Sequence, residues 1–332
     1  MFFLFSRGRR KMFDKKAGSI FGKDAITVSG LGDYSLEDTL ECGQCFRAVE
    51  LCREGDYVEY LTVVGEKLVF VGQKERGELI FFGADEGDID GFIGEYFALG
   101  EDYAAIKSDI LSRTDSEFLH AAADAASGIR ILRQDPWEAL FSFIISQNNN
   151  IPRIKKIIRS ISAAYGENLA ERSGISECPL KAKGYKNGTS PLDTSPCREC
   201  GICYTFPSAE AVNTSPEKLL DSHPGFRYKY LTDAAAKVLS GEVDLEKIKD
   251  ASDYSVTLSE LQKIKGVGEK VASCTALFAF SNLNAFPVDV WMKRAIDEYF
   301  GGNLDSTALG EYAGVAQQYI FHYIRMLAGE KN

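Results

Sequence analysis

The spacing of hydrophobic residues changes period along this chain. Between residues 26 and 83 apolar and polar positions alternate. They do so over 57–64 and 67–71, on either side of a Gly65-Glu66 turn, and 78–82 can add a third strand. This predicts an antiparallel meander. From about Ile89 the pattern turns helical. Short helices are expected at 104–110 and 117–126. A further helix at 136–146 has Asp135 as its N-cap and Pro136 at its first position. Residues 152–165 are amphipathic with a basic face. Helices are expected again at 208–220, 228–239, 257–264, 269–280, 290–300 and 312–327. Residues 177–205 are rich in Gly, Pro, Ser and Thr, lack periodicity and read as an inserted loop. The expectation is an α+β chain with a tail at 1–24, a β-rich antiparallel N-terminal domain at 25–127 and a larger all-helical body at 128–332 that carries the 177–205 insertion.

No apolar run reaches membrane-spanning length, so no membrane association is expected. The opening MFFLFSRGRRKMF has its charge after the apolar residues and too short an apolar run for a signal peptide. It reads as a disordered tail or as sequence upstream of a true start at Met12. A cytoplasmic location follows, nucleoid-associated in a bacterium. The eight cysteines are then reduced thiols, metal ligands or catalytic groups rather than disulfides. The net charge of −10 runs against nucleic-acid binding, but it is unevenly spread. Residues 75–102 hold nine acids against one Arg, whereas 128–160 hold six basic residues against two acids. A locally basic face is compatible with that distribution.

The richest stretch is 261–289, LQKIKGVGEKVASCTALFAFSNLNAFPVD. Gly266 and Gly268 form a turn between two apolar helical runs, and Lys270 follows directly. A Pro-Val-Asp step ends at Asp289, nineteen residues after the lysine. A glycine turn that opens a helix offers backbone N–H groups to an anion such as a phosphate. Singly, these features also fit an ordinary αα-hairpin, a solvated lysine and a helix N-cap. Together they supply an anion grip, an amine and a carboxylate. A free lysine is neutral in only about one molecule in a thousand near pH 7.4. An amine nucleophile here therefore needs desolvation that outweighs the carboxylate, or proton loss coupled to bond breaking.

GVG-x-K followed by PVD at this spacing resembles the helix-hairpin-helix DNA glycosylase superfamily. The resemblance implies that fold, with Lys270 as nucleophile, Asp289 as catalytic carboxylate and Gly266 and Gly268 gripping DNA. A lysine at this place marks bifunctional members, which form a Schiff base and then nick the strand. The segments ECGQCFR at 41–47, QDPWEALFSFIISQNNNIPRI at 134–154, HPGFRYKYL at 223–231 and AGVAQQYIF at 313–321 resemble one branch, the eukaryotic-type 8-oxoguanine DNA glycosylases. The likeness runs from about residue 25 to the end, apart from the insertion. Endonuclease III shares the lysine but usually has an iron–sulfur cluster after it, and no cysteine follows Cys274 here.

The resemblance implies excision of 8-oxoguanine opposite cytosine from damaged double-stranded DNA, then β-elimination, by a monomer that needs no cofactor for catalysis. By the same resemblance the Gly43 carbonyl accepts the N7 hydrogen that distinguishes 8-oxoguanine from guanine, Cys274 and Phe321 sandwich the extruded base, and Gln317 reads its Watson–Crick edge. Asn148 fills the gap, Arg153 and Arg227 read the orphaned cytosine, and Phe226 is the wedge. Trp291 departs from the pattern, because close relatives often carry a phosphate-holding His there. Two other readings are a glycosylase of the same superfamily for an alkylated purine, and a non-catalytic helix-hairpin-helix DNA-binding protein. Within the insertion, Cys178, Cys197, Cys200 and Cys203 form C-x18-C-x2-C-x2-C. The four thiols fit either a structural tetrahedral zinc site or reduced surface cysteines.

Overall fold

The computed structural model describes residues 13–173, 175, 201–251 and 253–329. Six strands, β1 (Asp14–Ile20), β2 (Lys23–Ser29), β3 (Val49–Glu54), β4 (Tyr57–Val64), β5 (Lys67–Gln73) and β6 (Leu79–Phe82), form one antiparallel sheet in the order β1-β2-β6-β5-β4-β3. The expected meander is β4-β5-β6, with Val64 opposite Lys67 across the Gly65 turn. The alternation reading falls short at β4, where every residue is buried. One face carries Val58, Tyr60 and Val64 into the core shared with the helix α1 (Leu36–Glu41). The other packs Leu61 against Ala170, Ile202 and Cys203, so both faces are dry.

Two further differences concern the N-terminal region. Residues 14–20, assigned to the tail on sequence, form edge strand β1 paired with β2. Its sequence DKKAGSI has no apolar alternation. The pairing rests on backbone bonds and on a turn in which Phe21 and Gly22 both have positive φ, 52° and 74°. Residues 36–41, inside the stretch read as β, are α1, capped by Ser35, whose hydroxyl accepts from the Asp38 N–H.

The remaining helices are α2 (Glu86–Asp90), α3 (Phe92–Tyr96), α4 (Tyr103–Leu111), α5 (Glu117–Ala125), α6 (Pro136–Ser146), α7 (Ile151–Tyr165), α8 (Leu169–Arg172), α9 (Ala209–Thr214), α10 (Tyr228–Ser240), α11 (Leu245–Ala251), α12 (Tyr254–Leu261), α13 (Glu269–Ala279), α14 (Val290–Tyr299) and α15 (Ala313–Leu327). The expected helix at 208–220 is broken. α9 stops at Thr214, and a 3-10 turn takes over at Pro216–Ser222, because Pro216 lacks an N–H and pushes Ser215 out of the helical region. No described helix is long and apolar enough to cross a membrane.

Two helices set the geometry that matters. α6 is buried over most of its length and α13 over nearly all of it, and they lie against each other with Phe143 and Phe278 stacked at 5.4 Å. That packing brings the start of α13 to the end of α6. Near the C-terminal end of the insertion, Tyr204 pairs with Asn168 and the Leu169 N–H donates to the Cys203 carbonyl at 2.8 Å.

Candidate active site

The turn between α12 and α13 behaves as its glycines demand. Gly266 has φ +80°, and a Cβ there would lie 2.5 Å from the Tyr230 ring. The turn thus rests directly on an aromatic side chain of α10. Gly268 is the N-cap of α13 and brings no side-chain cap, which leaves the first-turn N–H groups open to an anion. Asp233 steadies the turn from below, its carboxylate accepting from the Lys265 N–H at 2.7 Å.

Lys270 is the second residue of α13 and is half-buried. Its Nζ donates to Ser146 Oγ at 3.4 Å and lies 5.7 Å from the centre of the Phe143 ring. Asp289 is half-buried at the N-terminus of α14, where Oδ1 accepts from the N–H groups of Trp291 and Met292 at 3.0 and 2.9 Å. Cys274, one turn beyond Lys270, is buried and feels both groups. Burial pushes its thiol up from the usual range and the Asp289 carboxylate adds to this, while Lys270 opposes it. A thiol raised in this way stays neutral near pH 7. Ser146 and Phe143 were not legible as site residues. They lie far from Lys270 in sequence, and only the α6–α13 packing joins them.

A second group forms around Gly43. Its φ is +84°, and a Cβ would meet Ile151 Cδ1 at 3.4 Å and Phe321 Cε1 at 3.8 Å. Gln44 holds this glycine in place. Its side-chain nitrogen donates to the Thr39 and Arg130 carbonyls, its side-chain oxygen accepts from the Leu132 N–H, and its own carbonyl accepts from Gln134 Nε2. The loop is thereby sutured to residues 130–134. Phe321 and Gln317 are successive turns of α15. Gln317 is buried, its Oε1 accepting from Gln318 Nε2 at 2.9 Å, and the Arg325 guanidinium lies 5.3 Å from the Phe321 ring centre.

The third group lies between α6 and α7. Asn148 is exposed with φ 46°, a left-handed conformation uncommon outside glycine. Asn150 caps α7 by accepting from the Arg153 N–H, and the Arg153 side chain is exposed. Phe226 is 46% exposed and meets Tyr230 edge-on at 5.9 Å, and the Arg227 guanidinium lies 4.5 Å from its ring centre. Arg227 differs from expectation. It is 2% exposed and spends its donors on backbone carbonyls, so in this conformation it offers no fork to a base.

Trp291, where a phosphate-holding residue was in doubt, has the Arg294 guanidinium 5.8 Å from its ring centre, so a cation stands beside it. Of the four insertion cysteines, Cys178, Cys197 and Cys200 lie outside the described residues. Cys203 is buried against Leu51, Leu61 and Ile202. Among the described residues no group of His, Cys, Asp or Glu is arranged to hold a metal. A cavity of about 1120 Å³ opens between sheet and helical body, lined by Arg133, Glu138, Tyr254, Asn282 and Tyr312 among others. It contains none of the candidate residues.

A glycine hairpin feeding a lysine-bearing helix, on a helical body fused to an antiparallel sheet, defines a DNA glycosylase of the helix-hairpin-helix class. Residues 28–140 match the family described as 8-oxoguanine DNA glycosylase, N-terminal domain. The Clostridium acetobutylicum 8-oxoguanine glycosylase/lyase, solved with double-stranded DNA containing cytosine opposite 8-oxoG, is similar at 33% identity and a TM-score of 0.75, over 96% of this chain and 99% of that one. MBOgg1, solved with a low-affinity DNA ligand, is similar at 33% identity and a TM-score of 0.77, over 96% and 100%. The N-glycosylase/DNA lyase of Saccharomyces cerevisiae is 27% identical over 293 residues, 82% of this chain and 69% of the yeast protein. The chain belongs to the 8-oxoguanine DNA glycosylase family.

Proposed function

We propose that the protein excises 8-oxoguanine opposite cytosine from duplex DNA and then cleaves the strand at the resulting site, as a step of base excision repair. The observation that carries this reading is the half-buried Lys270 amine at the α6–α13 junction, with Cys274 buried next to it and under the influence of Asp289 as well. The neutral lysine attacks the sugar C1′, the C1′–N9 bond breaks, and its electron pair leaves with the base. Asp289, whose Oδ1 accepts from two backbone N–H groups, turns its carboxylate to the positive charge that develops at C1′. The amine gives up a proton, the C1′–O4′ bond of the resulting aminal breaks with O4′ taking a proton, and a ring-opened Schiff base remains. Loss of a C2′ proton then expels the 3′ phosphate by β-elimination, and water releases the lysine. No step calls on a cofactor.

Recognition is assigned on the same footing. The Gly43 carbonyl accepts from N7–H of the lesion and repels the N7 lone pair of guanine, a penalty of roughly 1–3 kcal/mol on the wrong base. Cys274 and Phe321 cover the two faces of the extruded base, and Gln317 meets its edge. Asn148 and Phe226 replace the stacking that extrusion removes, which amounts to a few kcal/mol. Arg153 reads the orphaned cytosine, and the Gly266–Gly268 turn grips the backbone. In this reading the sheet module brings Gly43 to the helical body of 128–332. The workplace is cytoplasmic, on the nucleoid in a bacterium.

Borohydride trapping on an 8-oxoG:C duplex, beside undamaged DNA, tests the reading. Wild-type protein should give a covalent adduct only on the damaged duplex, and Lys270→Gln should give none. An adduct that survives in the variant removes Lys270 from this role.

A further inference from the structure

Arg227 is the most constrained cation described here. Its Nε donates to the Gln147 carbonyl at 2.9 Å, and one terminal nitrogen also donates to Gln147 and to the Asn148 carbonyl at 3.0 Å. The other terminal nitrogen reaches the Pro224 carbonyl at 3.1 Å. Gln147 is the C-cap of α6, where carbonyls lack helical partners and the helix dipole favours a cation. Asn148, the next residue, carries the left-handed φ of 46°. Such a backbone costs about 1 kcal/mol or more outside glycine and persists where its surroundings hold it. Here a buried guanidinium holds the carbonyls on both sides of the Asn148 N–H.

We propose that Arg227 is a positioning residue, which clamps the Gln147–Asn148 turn in the DNA-free protein and so pre-sets the residue that fills the gap left by the extruded base. This rests on the glycosylase reading and gives Arg227 a task in the DNA-free protein beside the reading of the orphaned cytosine that the resemblance implies. The same turn begins immediately after Ser146, the partner of Lys270, so the clamp also steadies that side of the amine.

The test compares Arg227→Ala and Arg227→Lys, each alone and with Asn148→Gly, whose backbone adopts a positive φ without strain. Three quantities are read: excision of 8-oxoguanine, nicking at a preformed abasic site with no base to extrude, and amide hydrogen exchange over 147–150 without DNA. Arg227→Ala should slow excision at least about tenfold more than it slows abasic nicking, because extrusion is the step affected. Exchange at 147–150 should quicken. Arg227→Lys, which keeps a donor, should recover part of both effects. A variant that merely misfolds loses both activities together, and abasic nicking reports it. In that event Arg227→Lys carries the test through its exchange rates. Unchanged exchange in both variants, with loss only of discrimination against a wrong opposite base, overturns the proposal and makes Arg227 a base reader alone. If the wild type neither excises nor traps, the glycosylase reading fails, while the DNA-free exchange still decides whether Arg227 clamps the turn.

Discussion

Asp289 has two tasks that its side chain separates. One oxygen caps α14 through the Trp291 and Met292 N–H groups, and in the proposed mechanism the negative charge is left for the sugar. Asparagine can keep the cap but not the charge. Asp289→Asn should therefore leave the melting temperature nearly unchanged while slowing excision by about 100-fold or more, the scale expected for a lost electrostatic stabiliser. Single-turnover excision and thermal denaturation of the same preparation check this, and a variant that excises at the wild-type rate would remove the charge from the mechanism. At this scale the sequence was informative where chemistry is encoded by spacing. Lys270, Cys274 and Asp289 lie on one local pattern. It was silent on Ser146 and Phe143, which meet the lysine only through helix packing. It was also silent on the backbone carbonyls that Arg227 meets in the DNA-free chain, because no local signal marks an arginine that caps a distant carbonyl.

Among the elements, α10 does more than its sequence advertises. Tyr230 in its first turn meets Phe226 edge-on and lies under Gly266, Arg227 immediately before it bonds the Asn148 carbonyl, and Asp233 accepts from the Lys265 N–H. Phe226 and the hairpin thus rest on one helix. Gly266→Ala strains a backbone at φ +80° and also drives a methyl into the Tyr230 ring. It should cost about 1–3 kcal/mol of stability and weaken binding to abasic duplex, read by chemical denaturation and gel shift. Unaltered affinity would show that the turn does not grip DNA. The long helices of the body were predicted to within a few residues, since their apolar faces are strongly periodic. β1 and α1 were missed because a mostly exposed edge strand and a six-residue helix bury too little apolar surface to leave a period.

For the whole molecule, burial sets the alkaline limit. Desolvation raises the thiols of Cys42, to about 12, and of Cys45 and Cys274. A group that binds its proton more tightly when folded leaves stability untouched below its unfolded pKa, about 8.5 for a thiol. Above that pH the unfolded chain ionises first, and each thiol removes about 1.4 kcal/mol per pH unit until its folded pKa is reached. Melting temperatures should therefore hold steady to about pH 8 and fall steeply beyond pH 9, whereas a flat profile to pH 10 would contradict the buried placement of these thiols.

The pairing of Asn168 with Tyr204 has a consequence for how such a chain can vary. Gly201 abuts the Arg159 carbonyl and Cys203 is tucked under the sheet, so residues 201–204 are tethered to the body beside Asn168. Doubling the length of a flexible connection between tethered ends adds only about 0.6 kcal/mol of closure entropy. The junction is thus a natural splice point, where whole modules could be gained, traded or discarded by descendants of this protein while its repair chemistry goes on undisturbed.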